Sequence, residues 1–239
     1  MRPVFRIFCI LLCLLCVTPV MQAQQPPVPA TSSGFNLTAE DLKDPRAVGN
    51  LETLCRVWGY VKYHHPVFCD TLCRVDVDSA LFALLPRVVH ADRVTRNRHL
   101  LDWVRSLGDY TPNRIECEQA LAPYDLVETA DLGWTADTVL LGGELSKLLQ
   151  DLRYAERDEN YYLRLGQPDQ GPDYQYLSLR GESFYPTPQM DSGLNLLLLF
   201  RLWNVIEYYA PYRAVTLHPW NEVLSTYIPL MGVETDGRR

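Results

Sequence analysis

Residues 51–66 read LETLCRVWGYVKYHHP and residues 196–211 read LLLLFRLWNVIEYYAP. Aligned without a gap, both follow L-x2-L-x-R-x-W-x4-Y-x2-P. The first copy carries it in Leu51, Leu54, Arg56, Trp58, Tyr63 and Pro66, the second in Leu196, Leu199, Arg201, Trp203, Tyr208 and Pro211. Six identities in sixteen columns, one of them tryptophan, mark an internal repeat, and a repeat decides the architecture ahead of weaker signals. The correspondence continues downstream with a shift of two residues, where Leu81, Leu85 and Pro86 align with Leu224, Ile228 and Pro229.

The apolar positions of both copies recur at helical spacing, as Leu51, Leu54, Cys55, Trp58 and Val61 and as Leu196, Leu199, Phe200, Trp203 and Ile206. Each copy therefore opens with an amphipathic helix presenting a broad apolar stripe. Pro66 and Pro211 end these helices, because proline cannot continue the hydrogen-bond ladder. A second helix is predicted in each copy, over residues 76–90 and 219–231, and a third in the first copy only, over residues 93–107 and closed by Gly108. A Leu-rich helix is expected near residues 143–153. The Pro, Gly and Tyr mixture after it suggests a loop with a small β excursion over residues 161–179. The fold class expected is mostly α, two copies of a helical unit packed as a helical array.

Arg2 and Arg6 precede an apolar run over residues 7–17 and an Ala23 cleavage position, the layout of a secretory signal peptide. The run is too short to span a bilayer. The expected organisation is a signal peptide at 1–23, a flexible leader at 24–34 and a first helical unit at 35–155. An aromatic-rich connector at 156–190, a second, incomplete unit at 191–233 and a polar tail at 234–239 follow. The formal charge is -7, and loss of Arg2 and Arg6 with the signal peptide makes it more negative still. With no Lys/Arg cluster in the chain, nucleic acid and anionic membranes are poor partners.

Cys55, Cys69, Cys73 and Cys117 remain after loss of the signal peptide, and an exported context permits disulfides, Cys69–Cys73 among the possible pairs. His65, Cys69 and Cys73 have zinc-ligand types at an unfavourable spacing, so no metal and no cofactor is expected. His64 and His65 are expected to serve the last carbonyls of their helix instead. Arg56 and Arg201, each two residues before a Trp, read as structural ties between helix and loop, and Lys62 and Glu207, equivalent columns of opposite charge, as solvated.

At residues 54–68, 81–86, 131–134 and 199–212 the chain resembles the N-terminal helical region of exported tail-specific, or C-terminal-processing, serine peptidases of Bacteroidota. The likeness spans residues 40–231, with the paired R-x-W segments as its most specific part. It implies a following catalytic domain with a Lys-activated Ser as partner in the same chain, protein or peptide substrates, and a periplasmic or cell-envelope location. No Ser here occupies the family's small-residue nucleophile turn. Ser146 and Lys147 are adjacent in a predicted helix, where neighbouring side chains diverge. No catalytic residue carries over, and the expectation is a non-catalytic region truncated before its peptidase domain. The alternative is a freestanding exported module that binds a peptide or glycan.

Overall fold

The computed structural model describes residues 32–69, 75–114, 130–166, 176–186, 190–210 and 219–234. Among them run six α-helices, α1 (Pro45–His64), α2 (Val77–Val88), α3 (Arg93–Ser106), α4 (Thr138–Leu152), α5 (Ser192–Tyr209) and α6 (Val223–Met231). The strands β1 (Leu163–Gly166) and β2 (Tyr176–Leu179) pair antiparallel, Leu163 opposite Leu179. The chain is mostly helical, its helices packed against one another, with this hairpin as the β excursion between the copies.

The helix starts share one chemistry. Asp44, Asp76, Asp92, Asp137 and Asp191 stand at the N-caps of α1 to α5, each carboxylate accepting a backbone N–H of the first turn. Such a cap satisfies donors that the helix itself leaves orphaned and contributes about 1 kcal/mol. α6 has no side-chain cap. Both opening helices stop at the column expected, α1 at His64 and α5 at Tyr209, each followed by an extended residue before its proline. α4 begins at Thr138, earlier than the periodicity suggested, because the helix is interrupted and resumes at Gly142. There the backbone takes φ 72°, a conformation that favours glycine.

α1 lies at the centre of the packing, in contact with α2, α3, α4, α5 and α6. Its apolar stripe, with Leu51, Leu54, Cys55, Val57, Trp58 and Val61 fully buried, joins Leu81, Leu85, Leu100, Leu149, Leu196, Phe200, Leu224 and Ile228 in one core. The segment ahead of α1 seals one end: Leu37 N–H donates to Ser192 Oγ, Ser33 Oγ donates to Asp191 Oδ1, and Phe35 and Leu37 are buried.

Candidate functional site

The repeated residues make repeated contacts. Trp58 Nε1–H donates to the Val77 carbonyl at 2.8 Å, and Trp203 Nε1–H donates to the Trp220 carbonyl at 3.1 Å. Val77 and Trp220 are equivalent once the two-residue shift is applied, so each tryptophan holds the beginning of its own copy's second helix. The far end is held in the same way. Asn50 Nδ2–H donates to the carbonyls of Val88, Val89 and Ala91, and Asn195 Nδ2–H donates to the Glu234 carbonyl, the counterpart of Ala91. Asn50 and Asn195 stand one column before the motif that sequence reasoning extracted. Their recurrence is visible in the sequence and was missed.

The copies meet at equivalent columns. Gly59 of α1 faces Asn204 of α5 so closely that a Cβ on Gly59 would lie 1.9 Å from the Asn204 side chain. Asn204 Nδ2–H donates to the carbonyls of both Cys55 and Phe200, themselves an equivalent pair. Tyr63 and Tyr208, the motif tyrosines, pack edge to face at 6.0 Å between ring centroids. Self-matching columns of this kind are what an isologous contact between two like units gives.

The motif arginines differ in their surroundings. Arg56 is half-buried with its guanidinium 5.7 Å from the centre of the Trp203 ring. Arg201 forms an ion pair with Asp78 of α2, a second with Glu182 Oε2 at 2.8 Å, and donates to the Ser183 carbonyl. Lys62 and Glu207 are both buried, contrary to the expectation that they are solvated. Lys62 Nζ meets Glu182 Oε1 at 2.5 Å and lies 4.3 Å from the Tyr162 ring centre, and Tyr185 Oη–H donates to Asp78 Oδ2 at 2.9 Å. Two cations and two carboxylates thus neutralise one another beneath the connector. Burial pushes the Asp78 carboxyl up despite Arg201 and Lys62, and burial pulls the Lys62 ammonium down despite Glu182.

Ser146 is buried and donates to the Thr135 carbonyl at 2.8 Å, whereas Lys147 is exposed and pairs with Asp151. His64 Nδ1 lies 2.8 Å from the Tyr60 carbonyl. Burial holds the His64 imidazole down at about 3, so it serves that carbonyl as a neutral donor rather than as a cation. His65 Nδ1 instead accepts from Val67 N–H beyond the helix end. Cys55 is buried, and Pro211 and Cys73, the latter with its pairing to Cys69, lie outside the described residues.

Two concavities among the described residues bear on a candidate site. One of ≈ 510 Å³ runs between α3 and α4 beside the break at Gly142, lined by Arg93, Arg98 and Arg105 among others, with Arg105 bridged to Glu144. The second, of ≈ 400 Å³, opens where α1 and α5 end together, between Tyr63, His64, Tyr208 and Tyr209 on one side and Arg157, Asp158, Glu159 and Asn160 on the other. It is the concavity that the motif itself builds. Comparison of the chain with protein-family models, with curated proteins and with solved structures finds no match.

Proposed function

We propose that this chain is a non-catalytic helical scaffold of the tail-specific serine peptidase kind, exported to the periplasm or cell envelope. Its partner is the Ser/Lys peptidase domain that in that family belongs to the same chain, and proteins or peptides are the eventual substrates. The use made of the motif carries the proposal. Trp58, Trp203, Arg201 and the asparagines beside them are engaged within the chain, clamping helices and connector rather than facing a reactive centre. A repeated residue committed to a repeated internal contact is the mark of a scaffold.

The coding sequence beyond residue 239 is the test. A frame, continuous or shifted, encoding a domain with a nucleophilic Ser and an activating Lys is expected. A long non-coding stretch contradicts the proposal and favours the second reading, a freestanding binding module, for which the ≈ 400 Å³ cleft at the motif tyrosines speaks.

A further inference from the structure

One face of α1 is covered by α3 and α4, and the same columns of α5 lie open among the described residues. Arg96 Nη1–H of α3 donates to Asn50 Oδ1, and Tyr60 Oη–H donates to the Leu149 carbonyl of α4. Asn50, Thr53, Val57 and Tyr60 recur at helical spacing and so share a face, and Thr53 and Val57, between the two contacts, are buried. The equivalent residues of α5 are Asn195, Leu198, Leu202 and Val205. Leu198 is 49% exposed and Leu202 58%. The second helices repeat the contrast. α3 packs on α2 as well as on α1, and Leu84 of α2 is buried, whereas its counterpart Tyr227 of α6 is 47% exposed.

The residues at these open columns are those of an interface. Leu198 stands where the first copy has Thr53, and exposed Leu230 stands where the first copy has exposed Arg87. α6 carries no charged residue. α5 carries two, Arg201, paired with Asp78 and Glu182, and Glu207, which is buried. α3, by contrast, shows solvent the charges of Arg93, Arg98, Asp102 and Arg105. A contiguous apolar face without charge marks a contact surface.

We propose that the α5–α6 face is an interface between two copies of this chain, each laying Leu198, Leu202, Tyr227 and Leu230 against the same residues of the other about a two-fold axis. Three observations select a second copy as the occupant. The cover that the first copy uses is a pair of leucine-bearing helices, and α5 with α6 is itself such a pair. The chain has a formal charge of -7, so two copies repel over most surfaces, and an uncharged face is where that repulsion has no local source. The interface also continues one already present, since α1 and α5 meet isologously within the chain, Gly59 against Asn204. Helices of 18 and 9 residues give a face at the small end of specific interfaces, so the dimer is expected to be reversible, with a Kd of about micromolar or weaker. The proposal is independent of whether a peptidase domain follows in the coding sequence.

Sedimentation equilibrium on the chain purified from the periplasm, from micromolar to sub-millimolar concentration, tests it. The mean mass is expected to rise from that of one chain toward that of two. Leu202→Glu and Leu230→Glu, on different helices and both at exposed positions, are each expected to weaken the dimer at least about tenfold with an unchanged circular dichroism spectrum. Should one variant fold poorly, the other decides. Val139→Glu changes an apolar residue of α4 that is 72% exposed and lies off this face, and it is expected to leave the dimer as it was. A single-chain mass at every concentration overturns the proposal. So does a dimer that survives both glutamate variants, or one that Val139→Glu dissociates equally well.

Discussion

Trp58 and Trp203 carry the same load in both copies: each fills the core with its ring and ties a helix start with its indole N–H. Trp58 is fully buried and Trp203 is 3% exposed. Replacing either by alanine is expected to cost about 3–5 kcal/mol in chemical denaturation, and a loss below about 1 kcal/mol at both would show that the rings carry little of the core. His64 makes a separate, pH-dependent contribution. Its imidazole stays neutral down to about 3 when folded, whereas an unperturbed histidine gains its proton near 6.5. Between those values the unfolded chain binds more protons, so stability rises with pH and drains away on acidification. Unfolding free energies measured from pH 7 to pH 4 should fall, and the fall should flatten in His64→Phe, while an unchanged slope would contradict the burial of this ring. The tryptophans were legible in the sequence because an apolar stripe repeated at helical spacing leaves them no other place. Lys62 was not, because its partner Glu182 lies 120 residues away on the connector and leaves no local trace.

Among the elements, α2 and α6 are equivalent by alignment and unequal in support. α2 runs for 12 residues, is capped by Asp76, buries Val77, Leu81, Leu84, Leu85 and Val88, and has α3 packed beside it. α6 runs for 9 residues, has no side-chain cap and buries Leu224 and Ile228, while Tyr227 and Leu230 stay exposed. Hydrogen exchange is expected to show the amides of α6 opening far more readily than those of α2, and equal protection would contradict this ranking. The end of α6 depends on the Asn195 bond to the Glu234 carbonyl, so Asn195→Ala should loosen α6 further and leave α2 unaffected. Periodicity and prolines were enough to place these helices and the ends of α1 and α5. The early start of α4 was hidden, since a glycine at positive φ breaks the helix locally and blurs its apolar pattern. The cleft was legible only in part. Its tyrosines belong to the motif, but Arg157, Asp158 and Glu159 reach them from the connector through a chain path that no spacing rule describes.

At the scale of the molecule, one helical block arises because the two copies are joined at their most intimate point, Gly59 against Asn204, and share a single core around α1. α6 of the second copy packs on α1 of the first, and α2 of the first on α5 of the second, so both copies contribute to one core. Small domains with one core unfold in a single cooperative step. The measurement that tests this most directly is equilibrium urea unfolding of the chain and of Gly59→Ala, followed in parallel by far-ultraviolet circular dichroism and tryptophan fluorescence. A Cβ at Gly59 has no room beside Asn204, so the variant is expected to lose about 1–3 kcal/mol, with the two signals still coincident in one transition at a lower midpoint. Two separated transitions, or a Gly59→Ala chain as stable as the parent, would contradict the account of two repeat copies folded as one.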